Sequence, residues 1–265
     1  MPIININKCN YYYEVHGNGT ETIVLSHGLL WSGKMFYKQV AYFKSDYKVI
    51  TYDHRGQGKS EITQGGYDMD SLFSDTVEFL EKLNLKNIHF GGLSMGGFVA
   101  MRLAARRPDL VKSLILMETS ALAEPHVIKY KFLNTMVKLF GIKTVLKPVM
   151  NIMFGDKFLT DIERKEELTE WSNELLNNNK RIVRAVKGVI GRKAIDDELQ
   201  KINCPTLILV GTQDKATVPE KSEFIHTKIK NSVIKYIDGG GHTSCIEEPE
   251  QYNEEIEIFL NNFVQ

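Results

Sequence analysis

The feature that most constrains the fold is an alternation of short apolar runs with longer amphipathic segments over the first 120 residues. Runs typical of strands, rich in β-branched and aromatic residues, occur at residues 11–15, 22–25, 48–52, 88–90 and 113–117. Residues 70–83 and 98–107 carry the apolar spacing of helices. Strands that alternate with helices need crossover connections. The sequence therefore predicts an α/β fold, a mostly parallel sheet with helices on both faces.

The connection between the first two strand-like runs is an exception to this alternation. It consists of His16, Gly17, Asn18 and Gly19, with two further residues before the second run. That length leaves no room for a crossover helix. The runs at 11–15 and 22–25 are therefore expected to pair with each other as an antiparallel edge of the sheet.

After residue 119 the strand pattern stops for roughly 80 residues, and it resumes at 204–210 and 233–237, before a closing helix near 251–263. The prediction is a core made of residues 1–120 and 200–265, with a helical cap at 121–199 inserted into it. Large apolar residues of the cap are Phe132, Met136, Phe140, Met150, Met153, Phe154 and Trp171. Most are expected to pack the cap onto itself and onto the sheet, and a minority to line an apolar acyl pocket. Its basic residues are expected to form solvated helix faces.

Charge and cysteine content exclude several classes of partner and site. Lys plus Arg number 33 and Asp plus Glu 33, so no net field attracts nucleic acid or an anionic membrane, and neither is an expected partner. The three cysteines are scattered and lack the spacing of a disulfide framework or a zinc site. Neither a signal peptide nor a run of about 18 apolar residues is present. The expectation is a cytoplasmic protein with no metal and no cofactor.

Residues 92–97, Gly-Leu-Ser-Met-Gly-Gly, form a turn between a predicted strand and a predicted helix. A GxSxG pattern alone is a weak signal. In this context it predicts a nucleophile elbow, a sharp turn that holds Ser94 in a strained conformation above the sheet. The helix that follows directs its positive end to the same point, where it favours an oxyanion. Ser94 is the predicted nucleophile, and the alternative is a glycine-rich turn with an incidental serine.

A serine nucleophile needs a base, and the base needs an acid that orients it. Of the seven histidines, His242 is the best placed, because it lies in a glycine-rich loop directly after the last predicted strand. Asp214 follows another strongly apolar strand and precedes His242 in the chain. Asp214 is therefore the predicted acid, and Glu118, at the end of a third strand, is its rival.

The oxyanion of an acyl-transfer intermediate is better stabilised by two backbone donors than by one. The N–H of Met95, directly after the nucleophile, is the first candidate. The turn at residues 26–30 follows a predicted strand, and Gly28 allows the backbone to approach the reacting carbon closely. The N–H of Leu29 is therefore the predicted second donor, and His27 is expected to brace the turn.

Five motifs occur in order along the chain: HGLL at 27–30, DHRGQGKS at 53–60, GLSMGG at 92–97, GTQD at 211–214 and GGGH at 239–242. Through them the chain resembles the α/β-hydrolase superfamily over nearly its whole length, and within it the carboxylesterase and 3-oxoadipate enol-lactonase group. The resemblance implies an α/β-hydrolase fold with an eight-stranded sheet. It also implies a triad of Ser94, Asp214 and His242, an oxyanion hole from Leu29 and Met95, and a structural role for the second motif.

The activity expected from this resemblance is hydrolysis of a small carboxylic ester or lactone, through an acyl-enzyme and without a cofactor. Haloalkane dehalogenases and epoxide hydrolases of this fold use an aspartate where this chain has Ser94. Carbon–carbon hydrolases typically have Asn and Trp where this chain has Leu93 and Thr243. Two alternatives stay open: a cofactor-free haloperoxidase or perhydrolase, and a receptor of this fold that binds a small ligand and turns it over slowly.

Overall fold

The computed structural model describes residues 2–263. Their strands form one eight-stranded sheet. The strands are β1 (Ile3–Ile6), β2 (Cys9–His16), β3 (Thr22–Ser26), β4 (Lys48–Tyr52), β5 (Ile88–Leu93), β6 (Val111–Met117), β7 (Thr206–Gly211) and β8 (Ser232–Ile237). Their order across the sheet is β1-β2-β4-β3-β5-β6-β7-β8. The pairs β1–β2 and β2–β4 are antiparallel, and the pairs from β4 to β8 are parallel. The predicted mostly parallel α/β sheet is confirmed.

The edge of the sheet differs from the prediction. The run at 11–15 lies in β2, but β2 pairs with β4, with Tyr13 opposite Tyr52. β3 lies between β4 and β5 and is parallel to both. The prediction that the runs at 11–15 and 22–25 pair directly is therefore wrong. Their short connection passes over the turn that leads into β4, where a Cβ on Gly17 or Gly19 would collide with backbone carbonyl oxygens of that turn.

Between β3 and β6, one α-helix lies between each strand and the next, as expected. The helices are α1 (Tyr37–Phe43), α2 (Met69–Lys82), α3 (Met95–Arg106), α4 (Val127–Phe140), α5 (Leu146–Met153), α6 (Asp156–Thr160), α7 (Lys165–Leu176), α8 (Val183–Ile190), α9 (Pro219–Lys228), α10 (Ser244–Glu247) and α11 (Pro249–Phe263). Short 3-10 turns occupy Gly33–Phe36, Ile142–Val145, Lys180–Ile182 and Leu199–Lys201. The side chain of Asp68 caps α2 by accepting the N–H of Ser71 at 3.0 Å.

Two hydrophobic cores lie on the two faces of the sheet, because successive residues of a strand point to opposite faces. Val24 and Ile50 belong to the core that α2, α3 and α9 cover. Their chain neighbours Ile23 and Val49 belong to the core that α1 and α11 cover. The sheet is thereby buried on both sides, and the carboxyl ends of its parallel strands remain as the edge at which loops can form a site.

Helices α4 to α8 follow one another between β6 and β7, within the segment predicted as a cap. The division into core and cap domains remains a prediction. Phe154 and Trp171 are buried there, as expected. Phe132 and Phe140 are 65% and 62% exposed, so the expectation that they pack or line a pocket is wrong for these two. Helix α4 buries Val137, and its opposite face lies outside the packing.

Candidate active site

Ser94 lies at the turn between β5 and α3, with φ 52° and ψ −109°. A positive φ is strained for any residue with a Cβ, so this backbone persists only because its surroundings hold it. The N–H of Ser94 donates to Met117 O at 2.9 Å, and the hydroxyl of Thr119 donates to Ser94 O at 2.9 Å. A Cβ on Gly96 would collide with the carbonyl of Ser26, so only glycine permits this packing. These features are those of a nucleophile elbow.

The structure brings His242 and Asp214 together across two neighbouring strand ends. Asp214 follows β7, His242 follows β8, and the two strands are parallel. His242 Nδ1 lies 3.0 Å from Asp214 Oδ2 and 3.1 Å from Oδ1, and both side chains are buried. Nδ1–H then donates to the carboxylate and Nε2 is left as an acceptor, which is the tautomer that a general base requires.

Thr217 holds the carboxylate of Asp214 in place. Its hydroxyl donates to Oδ2 at 2.7 Å, and the N–H groups of Ala216 and Thr217 donate to Oδ1 at 2.8 and 2.9 Å. Burial acts to raise the pKa of Asp214, but the His242 charge and the bonds from His242 and Thr217 lower it below its ordinary value. Sequence analysis did not identify Thr217. Its place three residues after an aspartate in a loop before a helix is the signal that points to it.

Glu118, the rival acid, lies at the end of β6 and is fully buried. Its carboxyl group contacts the hydroxyl of Ser244, and the Tyr252 hydroxyl lies 3.1 Å from its Oε2. Burial raises the pKa of Glu118 well above its ordinary value, and the negative charge of Asp214 adds to this rise. A raised pKa disfavours the ionised form that an imidazolium needs as its partner, and the structure places Asp214, not Glu118, beside His242.

The two predicted oxyanion donors are backbone N–H groups of neighbouring segments. Leu29 lies in the turn after β3, and Met95 is the first residue of α3. Within residues 2–263, neither backbone N–H has a hydrogen-bond acceptor. A Cβ on Gly28 would lie 3.6 Å from the Cβ of Ser94, so this turn runs close to the nucleophile. The arrangement is that of two amide donors beside a serine.

His27 and His54 fix the turn beside Ser94. His27 Nδ1 donates to Gly28 O at 2.7 Å, and its Nε2 accepts the backbone N–H of His54 at 2.8 Å. His54 Nε2 lies 2.8 Å from Ser26 Oγ. Burial lowers the pKa of both histidines. They are therefore neutral side chains whose hydrogen bonds order the backbone.

The hydroxyl of Ser94 and Nε2 of His242 do not form a hydrogen bond in this structure. Neither atom has a protein partner within the described range 2–263, and neither is sealed from solvent. Hydrogen bonds between a nucleophile and its base are often long before substrate binds and shorten in the complex.

Glu247 is a buried carboxyl group that sequence analysis missed. Oε2 accepts the N–H groups of Gly155 and Gly241 at 2.8 and 3.0 Å. Oε1 accepts the N–H and the hydroxyl of Thr243 at 3.2 and 2.9 Å. Burial raises the pKa of Glu247 to about 7, although these donors act to lower it. Both chain neighbours of His242 are thus bonded to one side chain, which also holds the connection between α5 and α6.

A surface cavity of about 820 Å³ is lined by residues that include Leu30 and Trp31, which follow β3, and Gln57. Ser94, Asp214 and His242 do not line it, so this cavity does not define an acyl pocket. Across residues 2–263, no group of three or more His, Cys, Asp or Glu side chains is arranged to hold a metal ion. No helix in the same range has the length and apolar character needed to cross a bilayer.

Comparison with known proteins identifies the family. The family model described as alpha/beta hydrolase fold matches residues 21–249. 3-Oxoadipate enol-lactonase 1 of Acinetobacter baylyi is 28% identical over 260 residues, which cover 97% of this chain and 95% of that protein. A RutD protein of Rhizobium rhizogenes, named for carbamate hydrolysis, is 28% identical over 258 residues, which cover 94% and 97%. The crystal structure of the enol-lactonase of Burkholderia xenovorans LB400 shares the fold, with a TM-score of 0.92 at 24% identity over 98% of this chain and 100% of that one. The chain therefore belongs to the alpha/beta hydrolase fold family and is a hydrolase.

Proposed function

We propose that this chain is a serine hydrolase that cleaves a small carboxylic ester or lactone through an acyl-enzyme on Ser94. The observation that carries the proposal is the hydrogen bond between His242 Nδ1 and Asp214. It leaves Nε2 as an acceptor that is not sealed from solvent, and the proposed nucleophile is a serine with a strained backbone at a helix N-terminus. The name of the Acinetobacter baylyi relative supports a lactone or ester as the substrate class.

In the first half of the reaction, Ser94 Oγ attacks the carbonyl carbon while His242 Nε2 takes the hydroxyl proton. Asp214 stays ionised and stabilises the imidazolium. The N–H groups of Leu29 and Met95 donate to the oxyanion, and the positive end of α3 adds to their effect. The carbon–oxygen bond of the ester then breaks, and His242 returns the proton to the leaving alkoxide.

The second half repeats these steps with water as the nucleophile. His242 takes a proton from water, the hydroxide attacks the acyl-enzyme, and Ser94 leaves with the proton that His242 returns. With a lactone, the alcohol released in the first half stays attached to the acyl group. The product is then a single hydroxy acid, or its keto tautomer where the substrate is an enol lactone.

Covalent labelling tests the nucleophile. A fluorophosphonate should add once to the intact protein, at Ser94, and mass spectrometry should find no adduct on Ser94→Ala. The matched control is Ser120→Ala, since Ser120 is a buried serine near the end of β6 that lies outside the proposed triad. Ser94→Ala should lose about 10⁴ to 10⁶ in kcat. Labelling of another residue, with activity retained in Ser94→Ala, would end the proposal.

A substrate panel tests the class. We expect the highest kcat/KM on p-nitrophenyl esters with short acyl chains, and a steep fall beyond about eight carbons. Simple lactones, 3-oxoadipate enol-lactone and a p-nitrophenyl carbamate belong in the same panel. A preference for long chains would contradict the short-acyl expectation. A single stoichiometric reaction without turnover would favour a ligand receptor over an enzyme.

Perhydrolysis is the second candidate, and it uses the same acyl-enzyme. Hydrogen peroxide in place of water would release a peracid and restore Ser94. An assay with water and hydrogen peroxide both present measures the ratio of hydrolysis to perhydrolysis. The peracid is detected by its oxidation of bromide. We expect hydrolysis to dominate at low peroxide, and a peracid yield well above the peroxide-to-water ratio would favour the perhydrolase.

A further inference from the structure

Helix α4 carries an apolar stripe on its exposed face. Ile128, Phe132 and Leu139 lie at i, i+4 and i+11, and their side chains are 86%, 65% and 60% exposed. A helix turns by about 100° per residue, so these three positions share one face. Phe140 at the end of the helix is 62% exposed. Large apolar side chains that share one exposed face indicate an interaction surface, unlike single apolar residues scattered over a protein.

The chain around this stripe is basic. Residues 125–155 contain five lysines and no aspartate or glutamate. By helical spacing, Lys131 and Lys138 flank the stripe on one side and Lys129 flanks it on the other, and all three are exposed. The net charge of zero for the whole chain conceals this local excess. The surface formed by the apolar stripe and these three lysines is called the α4 face below.

We propose that the α4 face binds an anionic lipid surface. An apolar stripe with lysines on both sides is the pattern of helices that lie in the plane of a membrane interface. The apolar side chains would enter the boundary between headgroups and acyl chains. The lysines would remain at the level of the lipid phosphates, which attract them. The chain would lie on such a surface rather than span it.

Two other occupants fit the α4 face less well. A second copy related by two-fold symmetry would set the same face against itself, and its lysines would then meet lysines. An acidic protein partner would need a shaped groove for a protruding helix face, whereas a lipid surface needs no matching shape. The local charge and the protrusion of the side chains therefore favour lipid.

Vesicle sedimentation tests the proposal on the full chain. The wild type should pellet with vesicles of equimolar phosphatidylcholine and phosphatidylglycerol and should remain in solution with phosphatidylcholine alone. High salt should weaken binding, because screening shortens the reach of surface charge from about 10 Å at 0.1 M to about 3 Å at 1 M. A triple variant, Ile128→Ser with Phe132→Ser and Leu139→Ser, should lose binding. Ile162→Ser is its control, since Ile162 is 87% exposed but stands between two acidic residues.

The charge requirement has its own matched pair of variants. Lys131→Glu with Lys138→Glu should weaken binding to anionic vesicles by more than tenfold, since each lysine near the surface contributes about fivefold. Lys86→Glu with Lys230→Glu makes the same change in net charge at exposed lysines outside the α4 face. That control should bind almost as the wild type does. Circular dichroism should show that all variants fold.

The outcomes separate the possible occupants. If the two double lysine variants lost binding equally, only the net charge of the chain would matter, and the proposal would be overturned. No wild-type binding to anionic vesicles would also overturn it. A wild-type dimer that the triple variant converts to a monomer would assign the α4 face to a second copy. None of these results depends on the proposed hydrolase activity.

Gln57 joins the two segments that carry the oxyanion donors. Its side chain is 2% exposed. Oε1 accepts the N–H of Leu30 at 2.8 Å, and Nε2 donates to Met95 Sδ at 3.6 Å. Leu30 has φ 73°, in the region that favours glycine, so this turn needs support from outside. Within residues 2–263, the adjacent N–H of Leu29 has no acceptor.

We infer that Gln57 is a positioning residue for the oxyanion hole. The inference rests on the proposed function. With the Leu30 N–H bonded to Gln57, the strained turn keeps its conformation, and the Leu29 N–H stays free for the oxyanion. The contact with Met95 sets the spacing between the two donors. Gln57 itself does not touch the reacting atoms.

Gln57→Leu tests this role. We expect kcat to fall about 10- to 100-fold, less than the 10² to 10³ of losing a donor outright, with KM nearly unchanged. Affinity for a trifluoromethyl ketone, which forms the tetrahedral adduct, should fall by the same factor. Asn253→Leu is the control, because Asn253 is a buried amide bonded to Gln39 on α1. It should lower the melting temperature without changing kcat.

Two results would overturn the inference. One is a loss of kcat in Gln57→Leu with ketone affinity unchanged. The other is an equal loss of kcat in Asn253→Leu. Fluorophosphonate labelling of the wild type at Ser94 reports separately on the proposed function, so the two failures are distinguishable.

Discussion

Replacement of Asp214 by asparagine tests the assignment of the acid most directly. Asp214 Oδ1 accepts the N–H groups of Ala216 and Thr217, and an amide oxygen can keep both bonds. The amide nitrogen then takes the place of Oδ2, which faces the Thr217 hydroxyl and His242 Nδ1. An N–H group donates where the carboxylate accepted. Nδ1 of His242 must therefore become the acceptor, and its proton moves to Nε2.

A histidine that carries its proton on Nε2 cannot take another from Ser94. The loss in the serine protease case is about 10⁴ in kcat, which corresponds to about 5 kcal/mol at 1.36 kcal/mol per factor of ten. The fold should lose less, because the two backbone bonds to residue 214 survive. A decrease of about 1 kcal/mol in the free energy of unfolding is expected.

Glu118→Gln is the matched control, because Glu118 is the other buried acid at a strand end. Its partners Ser244 and Tyr252 are hydroxyls, which can donate or accept. Burial raises the pKa of Glu118 well above its ordinary value, which favours the neutral form, and glutamine is the neutral side chain of the same shape. The amide can accept from one hydroxyl and donate to the other. We expect kcat within about threefold of the wild type.

The assay is steady-state hydrolysis of p-nitrophenyl acetate, with thermal melting as the check on folding. Active-site titration with the fluorophosphonate gives the concentration of competent enzyme. A folded Asp214→Asn with near-normal kcat, beside an inactive folded Glu118→Gln, would refute the reasoning. The acid would then belong to the end of β6.

Three smaller changes test the groups that support the site. Thr217→Val should lower kcat about tenfold, the value of one hydrogen bond to a charged group, in the same ester assay. Gly96→Ala should lower the melting temperature by several degrees, since its Cβ collides with the Ser26 carbonyl. Burial raises the pKa of Glu247 from 4.5 to about 7, so the folded chain keeps a proton that the unfolded chain releases. The stabilisation by this bound proton is fully present below pH 4.5 and is lost as pH rises through about 7. The melting temperature of the wild type should therefore fall as pH rises from 4.5 to about 7, and Glu247→Gln should abolish this pH dependence. A pH dependence that is unchanged in the variant would belong to another group.

Strands β2 to β8 and the turn at Ser94 could be predicted because their signals are local, whereas β1 was missed. Apolar runs that end in Gly, Asp or Ser mark strand ends, and GLSMGG between a strand and a helix fixes where a serine must stand. The pairing of β2 with β4 could not be predicted in this way. It depends on which strand lies between β2 and β3 in the sheet. The connecting residues Gly17 and Gly19 allow β4 to take that place but do not specify it.

The exposed face of α4 marks a second limit of the sequence. Spacing alone shows that Phe132 shares a face with Ile128, but not whether that face is inward or outward. The deciding contact is tertiary, because Val137 on the opposite side is the residue that packs. A helix with apolar residues on both sides has two possible orientations, and the contacts of α4 with α8 and with the 3-10 turns at Ile142–Val145 and Lys180–Ile182 select one.

Supporting residues such as Thr217, Gln57 and Glu247 follow a different logic from the reacting ones. Reacting groups must stand at the carboxyl ends of parallel strands, where the sheet brings distant segments together, so strand prediction places them. Supporting groups need only reach a backbone amide or a carboxylate from any neighbouring loop. Their position depends on loop conformation, which long-range packing sets. The sequence therefore leaves open which residues position the proposed reacting groups. Glu247 is one of these positioning residues, and its hydrogen bonds join the His242 loop to the connection between α5 and α6.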